Sequence, residues 1–121
     1  MTDRNAILAA ADRIAADPRA AFLRRTPLWK LPGAALGSAA GEVWLKLEHL
    51  QAGGSFKARG MYNRLLANPI PASGVIVASG GNAGIATAAA ARALGAVAVR
   101  RMDGIQETVK FPLPKGLKLD R

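Results

Sequence analysis

The chain has 121 residues, enough for one modest domain, and half of them are hydrophobic. It contains no cysteine, which excludes disulfides, thiolate zinc sites and thiol nucleophiles. Its 17 basic residues outnumber 8 acidic ones for a net charge of +9, but they are scattered and aromatic residues are few. We therefore expect a surface that attracts small anions rather than nucleic acid.

The first half of the sequence predicts a helix, an extended segment and a strand. Apolar residues recur at helical spacing over residues 3–16, Thr2 or Asp3 can cap the start, and Asp17-Pro18 ends the helix. Residues 24–31 are predicted to be extended. A loop rich in Gly, Ala and Pro precedes an alternating pattern at 42–48, which indicates a strand.

The second half alternates apolar runs with helical stretches. After a turn at 51–54, Ser55 is predicted to cap a helix over 56–67. Residues 74–78 and 96–99 are short apolar runs typical of strands buried on both faces. Between them, an alanine-rich helix over 82–94 is expected to end at Gly95. The order β-α-β-α-β predicts an α/β fold with a parallel sheet and right-handed crossovers, and no further strand-helix unit is predicted after Val99.

No segment predicts export or membrane insertion. The longest apolar stretch, 85–99, is interrupted by Arg92 and is shorter than the roughly 20 residues that a membrane span needs. Asp3 and Asp12 interrupt any apolar leader. We expect a cytoplasmic protein without a membrane partner and without a metal site.

Lys57 is the first candidate functional residue. A lysine is usually a solvated surface residue, and Phe56 beside it would usually belong to a core. At the start of a predicted helix near a strand end, however, a lysine amine is a candidate nucleophile toward an aldehyde cofactor. Phe56 would then cover one face of a flat ring.

A glycine-rich turn, Ser79-Gly80-Gly81-Asn82-Ala83-Gly84, is the second candidate. In most βα turns glycine only relieves crowding. This turn follows a predicted buried strand and opens a helix, so its N–H groups suit a carboxylate or phosphate. The Asn82 side chain can both donate and accept, which suits a phenolic oxygen.

Four motifs occur in order along the chain. They are Thr26-Pro27-Leu28, Lys46-x-Glu48-x-x-Gln51, Gly54-Ser55-Phe56-Lys57-x-Arg59-Gly60 and Ser79-Gly80-Gly81-Asn82-Ala83-Gly84. Four motifs in order and at the right spacing are more specific than any one of them. Over about residues 1–99 the chain therefore resembles the pyridoxal-phosphate enzymes of fold type II, in the serine/threonine dehydratase branch.

The resemblance implies a role for each candidate residue. It implies that Lys57 is catalytic and holds pyridoxal phosphate covalently, that Phe56 packs on the cofactor ring, and that Asn82 hydrogen-bonds the ring hydroxyl oxygen. The residues implied to hold the substrate carboxylate are Ser79, Gly80, Gly81, Asn82 and Ala83.

The resemblance also implies an activity and an architecture. The activity is that of an ammonia-lyase, which removes water and ammonia from serine or threonine to leave a 2-oxo acid; close relatives racemise serine. Residues 1–50 would belong to a larger cofactor domain and 51–99 to a smaller α/β domain, with 100–121 a divergent basic tail. The family's phosphate-binding glycine loop has no counterpart here, so we expect an N-terminal fragment, a homodimer if complete. The alternative is a non-catalytic remnant or a small basic binding module.

Overall fold

The computed structural model describes residues 3–102 and 105–108, and side chains as far as Val99. Short 3-10 turns at Pro18–Phe22, Gly33–Leu36, Glu48–Leu50 and Ala52–Gly54 connect the main elements. These elements are α1 (Arg4–Ala16), β1 (Leu28–Pro32), β2 (Glu42–Lys46), α2 (Lys57–Leu66), β3 (Val75–Val77), α3 (Asn82–Ala93), β4 (Ala98–Met102) and β5 (Ile105–Thr108). Most predicted elements are therefore present with small boundary shifts, and Asp3 rather than Thr2 caps α1.

The first two strands form an antiparallel hairpin of their own. β1 pairs with β2 from Leu28 opposite Lys46 to Pro32 opposite Glu42. The Gly33 N–H donates to the Gly41 carbonyl at 3.2 Å and closes the loop between the strands. The prediction that the 42–48 strand belongs to the parallel sheet was wrong. The physical reason is that β1 lies just before β2 in the chain, so that closing the loop over residues 33–41 has a low entropic cost.

The second sheet contains one β-α-β unit rather than two. β3 and β4 are parallel, with Val75 opposite Ala98, and α3 provides the crossover between them. β5 adds an antiparallel strand on the other side of β4, giving the order β3-β4-β5. The fold is thus mixed α/β. The sequence did not predict β5, and the part of the 100–121 segment from 109 onward lies outside the described residues.

Small side chains allow α2 and the second sheet to approach α3 closely. Ala88 and Ala91 of α3 are buried with Ala98 of β4, and Leu65 and Val75 pack against them. Tyr62 of α2 is fully buried and meets the Phe22 ring edge-on, with ring centroids 5.3 Å apart. The core therefore lies between α2, α3 and one face of the β3-β4 pair.

Several apolar faces remain exposed. The prediction that both central strands are buried on both faces was wrong, because Ile76 of β3 and Val97 just before β4 are 58% and 51% exposed. The physical reason is that the helices of the described structure cover only one face. The hairpin also exposes Trp29 and Trp44, and α1 has no buried residue. Among residues 3–102 and 105–108, no helix has the length and apolar character needed to span a bilayer.

Candidate functional site

Lys57 is the first residue of α2 and is half-buried. Its amine lies 5.2 Å from the centroid of the Phe56 ring, and that ring is 66% exposed. Phe56, not Ser55, occupies the N-cap position. The buried Ser55 still faces the helix start, because its hydroxyl accepts a hydrogen bond from the Lys57 N–H at 3.4 Å. A lysine amine and an open aromatic face thus lie side by side at the start of a helix.

The glycine-rich turn connects β3 to α3 and leaves the helix start open. Gly81 is the N-cap and no side chain caps the helix. A Cβ built on Gly81 would meet nothing within 4 Å. The Ser79 hydroxyl accepts from the Gly81 N–H at 3.3 Å. Within this turn, Gly80 and Asn82 are exposed, whereas Ser79 and Ala83 are half-buried.

The loop before Lys57 packs against the first turns of α3. A Cβ on Gly53 would lie 3.1 Å from Cγ2 of Ile85, which is three residues past Asn82. The 3-10 turn Ala52–Gly54 and α2 itself both contact α3. The sequence predicts that Lys57 and the Ser79–Asn82 turn lie close together at the carboxyl edge of one parallel sheet, because each motif follows a predicted strand and opens a helix. β2, however, is not in that sheet. Helix packing brings the two segments together instead, and a direct approach of Lys57 to Asn82 stays a prediction.

Gln51 ties this loop to the segment before β1. Gln51 is 2% exposed, and its side-chain amide bonds both backbone groups of Arg24, as a neighbouring strand would. Oε1 accepts from the Arg24 N–H at 2.7 Å, and Nε2 donates to the Arg24 carbonyl at 2.8 Å. Oε1 also accepts from the Ala52 N–H at 2.9 Å. The amide is therefore well satisfied, as a buried polar group must be.

Glu48 and Arg59 make a second connection between the same segments. The Glu48 carboxylate accepts from the Thr26 hydroxyl at 2.5 Å and pairs with Arg59 Nε at 3.2 Å. Arg59 Nη2 donates to the Arg24 carbonyl at 2.7 Å, and Lys46 Nζ donates to the Thr26 carbonyl. Burial opposes ionisation of Glu48, but the Thr26 hydroxyl and the Arg59 guanidinium outweigh it and hold the pKa of this carboxyl below its ordinary value.

This pKa shift predicts a pH-dependent contribution to stability. Because the folded-state pKa of Glu48 is lowered from 4.5, its contribution is complete above about pH 4.5 and is lost as the pH falls through the folded-state pKa. Urea unfolding of wild type and Glu48→Gln should therefore differ near neutral pH and converge in acid. Glu42→Gln is the control, since the Glu42 pair with Lys30 is half-exposed. A difference for Glu48→Gln that persists unchanged into acid would contradict the prediction.

Sequence reasoning missed the contacts that Glu48 makes with Thr26 and Arg59, and those that Gln51 makes with Arg24. Taken alone, the motifs Thr26-Pro27-Leu28 and Lys46-x-Glu48-x-x-Gln51 predict only a turn element and a charge pair. The signal that could have found these contacts is that both motifs occur in order with the lysine motif. The structure also contains a cavity of about 580 Å³ beside α1, and Lys57 is not among the residues that line it. Arg24, Arg25 and Arg59 line it together with small apolar residues of α1 and the following turn. Within the described ranges, no cluster of three His, Asp or Glu side chains could hold a metal.

The fold is mixed α/β, and the loop that leads into Lys57 packs against the helix that the glycine-rich turn opens. Comparison with known proteins assigns the class: residues 20–108 match the family described as "Pyridoxal-phosphate dependent enzyme". The chain belongs to this family. The family match ends at residue 108, past residue 99 where the resemblance of the four motifs ends, and it therefore includes β5.

Individual relatives cover different shares of the chain. It is 39% identical over 93 residues to a catabolic L-threonine dehydratase of Staphylococcus aureus strain N315, covering 75% of this chain and 24% of that protein. The corresponding enzyme of strain USA300 is 38% identical over 93 residues, which again cover 75% of this chain and 24% of that protein. The chain thus spans about a quarter of the length of these dehydratases.

A shorter match involves a different protein. Over 29 residues the chain is 83% identical to a 4-hydroxy-3-methylbut-2-enyl diphosphate reductase of Polaromonas sp.. That segment is 24% of this chain and only 9% of the reductase. A segment that short cannot form a packed domain on its own, so it carries no functional argument.

Proposed function

We propose that this chain forms the lysine-bearing part of a pyridoxal-phosphate-dependent ammonia-lyase acting on a hydroxy amino acid such as serine or threonine. The observation that carries the proposal is the position of Lys57 at the start of α2, with its amine 5.2 Å from an exposed Phe56 ring. Membership of the family and the likeness to threonine dehydratases support the same conclusion.

The residues present fit the cofactor. The exposed face of Phe56 can receive a flat aromatic ring beside the Lys57 amine. The open space at Gly81 lets a ligand approach the backbone N–H groups at the start of α3. The exposed Asn82 amide can donate to a ring oxygen or to a carboxylate. Bound there, pyridoxal phosphate would supply an electron sink for the substrate's α-carbon.

The chain's own residues would bind, orient and move protons. Lys57 Nζ would hold the cofactor and, once displaced by the substrate amine, take the α-proton as a general base. The turn Ser79, Gly80, Gly81, Asn82 and Ala83 would bind the substrate carboxylate through backbone N–H groups and the Asn82 side chain. Removal of water and ammonia from the amino acid would leave a 2-oxo acid.

The test is selective labelling of Lys57. Purified protein is incubated with pyridoxal phosphate, treated with borohydride and digested, and the labelled lysines are identified by mass. We expect a yellow absorbance band before reduction, and label on Lys57 that disappears in Lys57→Ala. Lys30 is the comparison inside the same chain, because its amine also lies over an aromatic ring, 5.5 Å from the Trp44 ring centroid, but on a strand of the hairpin rather than at a helix start. Equal labelling of Lys30 and Lys57 would refute the assignment.

The reaction is tested separately, by 2-oxo acid formation from serine and threonine at saturating pyridoxal phosphate. Turnover that depends on Lys57 would support the ammonia-lyase assignment. Selective labelling without turnover would restrict the proposal to cofactor binding. A basic binding module is the other candidate; a steep salt dependence of nucleic-acid binding without selective labelling would favour it.

A further inference from the structure

We infer that Thr26, Glu48, Gln51 and Arg59 together position the Lys57 amine; we call these four residues the brace. The inference rests on the proposed function and extends it to residues that need not touch cofactor or substrate. The four side chains come from three separate segments of the chain, and their hydrogen bonds converge around Arg24 and Thr26.

The brace holds the first turn of α2 in a fixed orientation. Arg59 lies two residues after Lys57 in the same turn. Its guanidinium donates in two directions, to the Glu48 carboxylate at 3.2 Å and to the Arg24 carbonyl at 2.7 Å. A planar fork bonded at two points resists rotation of the helix start better than a single contact does. The direction in which Lys57 leaves the helix is fixed by the same two contacts.

The brace also restrains the loop that leads into Lys57. Gly53 and Gly54 both have positive φ, 77° and 73°, a region that glycine enters freely. Two adjacent glycines would leave this loop mobile unless both of its ends were held. Gln51 holds the end before the glycines, through its bonds to Arg24, and Arg59 holds the helix that follows them.

The composition of the brace favours a positioning role over stability alone. A buried polar network costs desolvation, and apolar residues of similar volume often stabilise a fold at least as well. A network whose hydrogen bonds are all satisfied holds its side chains and the attached backbone in one arrangement. A site that binds its cofactor covalently needs one fixed arrangement, because the lysine amine has to meet one atom of the cofactor at the correct angle.

The test compares Lys57 labelling with Lys30 labelling inside each variant. Pyridoxal phosphate is the probe, borohydride fixes the adduct, and the ratio of label at Lys57 to label at Lys30 is read by mass. Thermal unfolding is measured in parallel, and labelling is done well below each midpoint. Arg59→Met keeps an unbranched apolar stem but removes both hydrogen-bond contacts. Arg59→Lys keeps the positive charge but lacks the planar guanidinium that bonds at two points. It replaces the methionine variant in the test if that variant does not fold. Arg13→Met is the matched control, because it removes an exposed hydrogen bond from Arg13 to Asn63 of α2 and leaves the surroundings of Lys30 unchanged.

We expect the Lys57-to-Lys30 ratio to fall about tenfold in Arg59→Met and by a smaller factor in Arg59→Lys, a change equal to the loss of one good hydrogen-bond interaction. Arg13→Met should keep the wild-type ratio. If wild type itself does not prefer Lys57, the proposed function fails and this inference with it. If wild type prefers Lys57 and every folded Arg59 variant keeps that preference, the proposed function stands and the brace is only structural.

Discussion

Replacement of Tyr62 by alanine is expected to lower the free energy of unfolding by about 3–5 kcal/mol, as for other large aromatic residues in cores. Tyr62 is fully buried, and its ring packs edge-on against Phe22. A loss of that size approaches the whole stability of a small domain. The measurement is urea unfolding followed by far-ultraviolet circular dichroism, and we expect Tyr62→Ala to be largely unfolded before urea is added.

Tyr62→Phe is the matched control, because it removes only the hydroxyl. This buried hydroxyl has no hydrogen-bond partner in the part of the chain that the structure describes. Burial, and then the nearby Asp17 carboxylate, raise the pKa of the Tyr62 hydroxyl. Because no bond is lost, Tyr62→Phe should unfold within about 1 kcal/mol of wild type. A cost of about 2–3 kcal/mol would instead mean that Tyr62 donates to Asp17 in solution.

Replacement of Gly74 by alanine is the second large expected effect. Gly74 has a φ of +90°, and a Cβ there would lie 2.3 Å from the Val97 carbonyl oxygen. That oxygen accepts the Val75 N–H at 2.9 Å, next to the start of the parallel pairing of β3 with β4. Backbone strain of about 1–3 kcal/mol and overpacking of about 1–3 kcal/mol together predict a loss of about 2–6 kcal/mol. Urea unfolding measures the loss.

Gly60→Ala is the control, because it is expected to raise the free energy of unfolding rather than lower it. Gly60 lies inside α2, and a Cβ there would meet nothing within 4 Å. Alanine is the better helix former by about 1 kcal/mol, so this variant should be slightly more stable than wild type. If Gly74→Ala proved as stable as Gly60→Ala, the close contact between Gly74 and Val97 would not exist in solution.

The sequence alone predicted the local elements well, because their signals lie within a few residues. Asp3 caps α1, and Asp17-Pro18 ends it. The alanine-rich pattern predicted α3 to within one residue, and Gly95 follows its end with a φ of +72°. The lysine and glycine-turn motifs each open a helix, as predicted. The family that the four motifs indicated is the one to which the chain belongs.

Tertiary structure decided which strands pair and what surrounds Lys57. The alternating pattern at 42–48 is compatible with either sheet. β2 pairs with β1 because the loop over residues 33–41 keeps the two strands close in the chain. Contacts between residues far apart in the chain leave no periodic signal. The bond between Arg24 and Gln51 and the bond between Thr26 and Glu48 are of this kind. Their geometry exists only after the hairpin and α2 have packed, because backbone groups and side chains meet there across more than 20 residues of sequence.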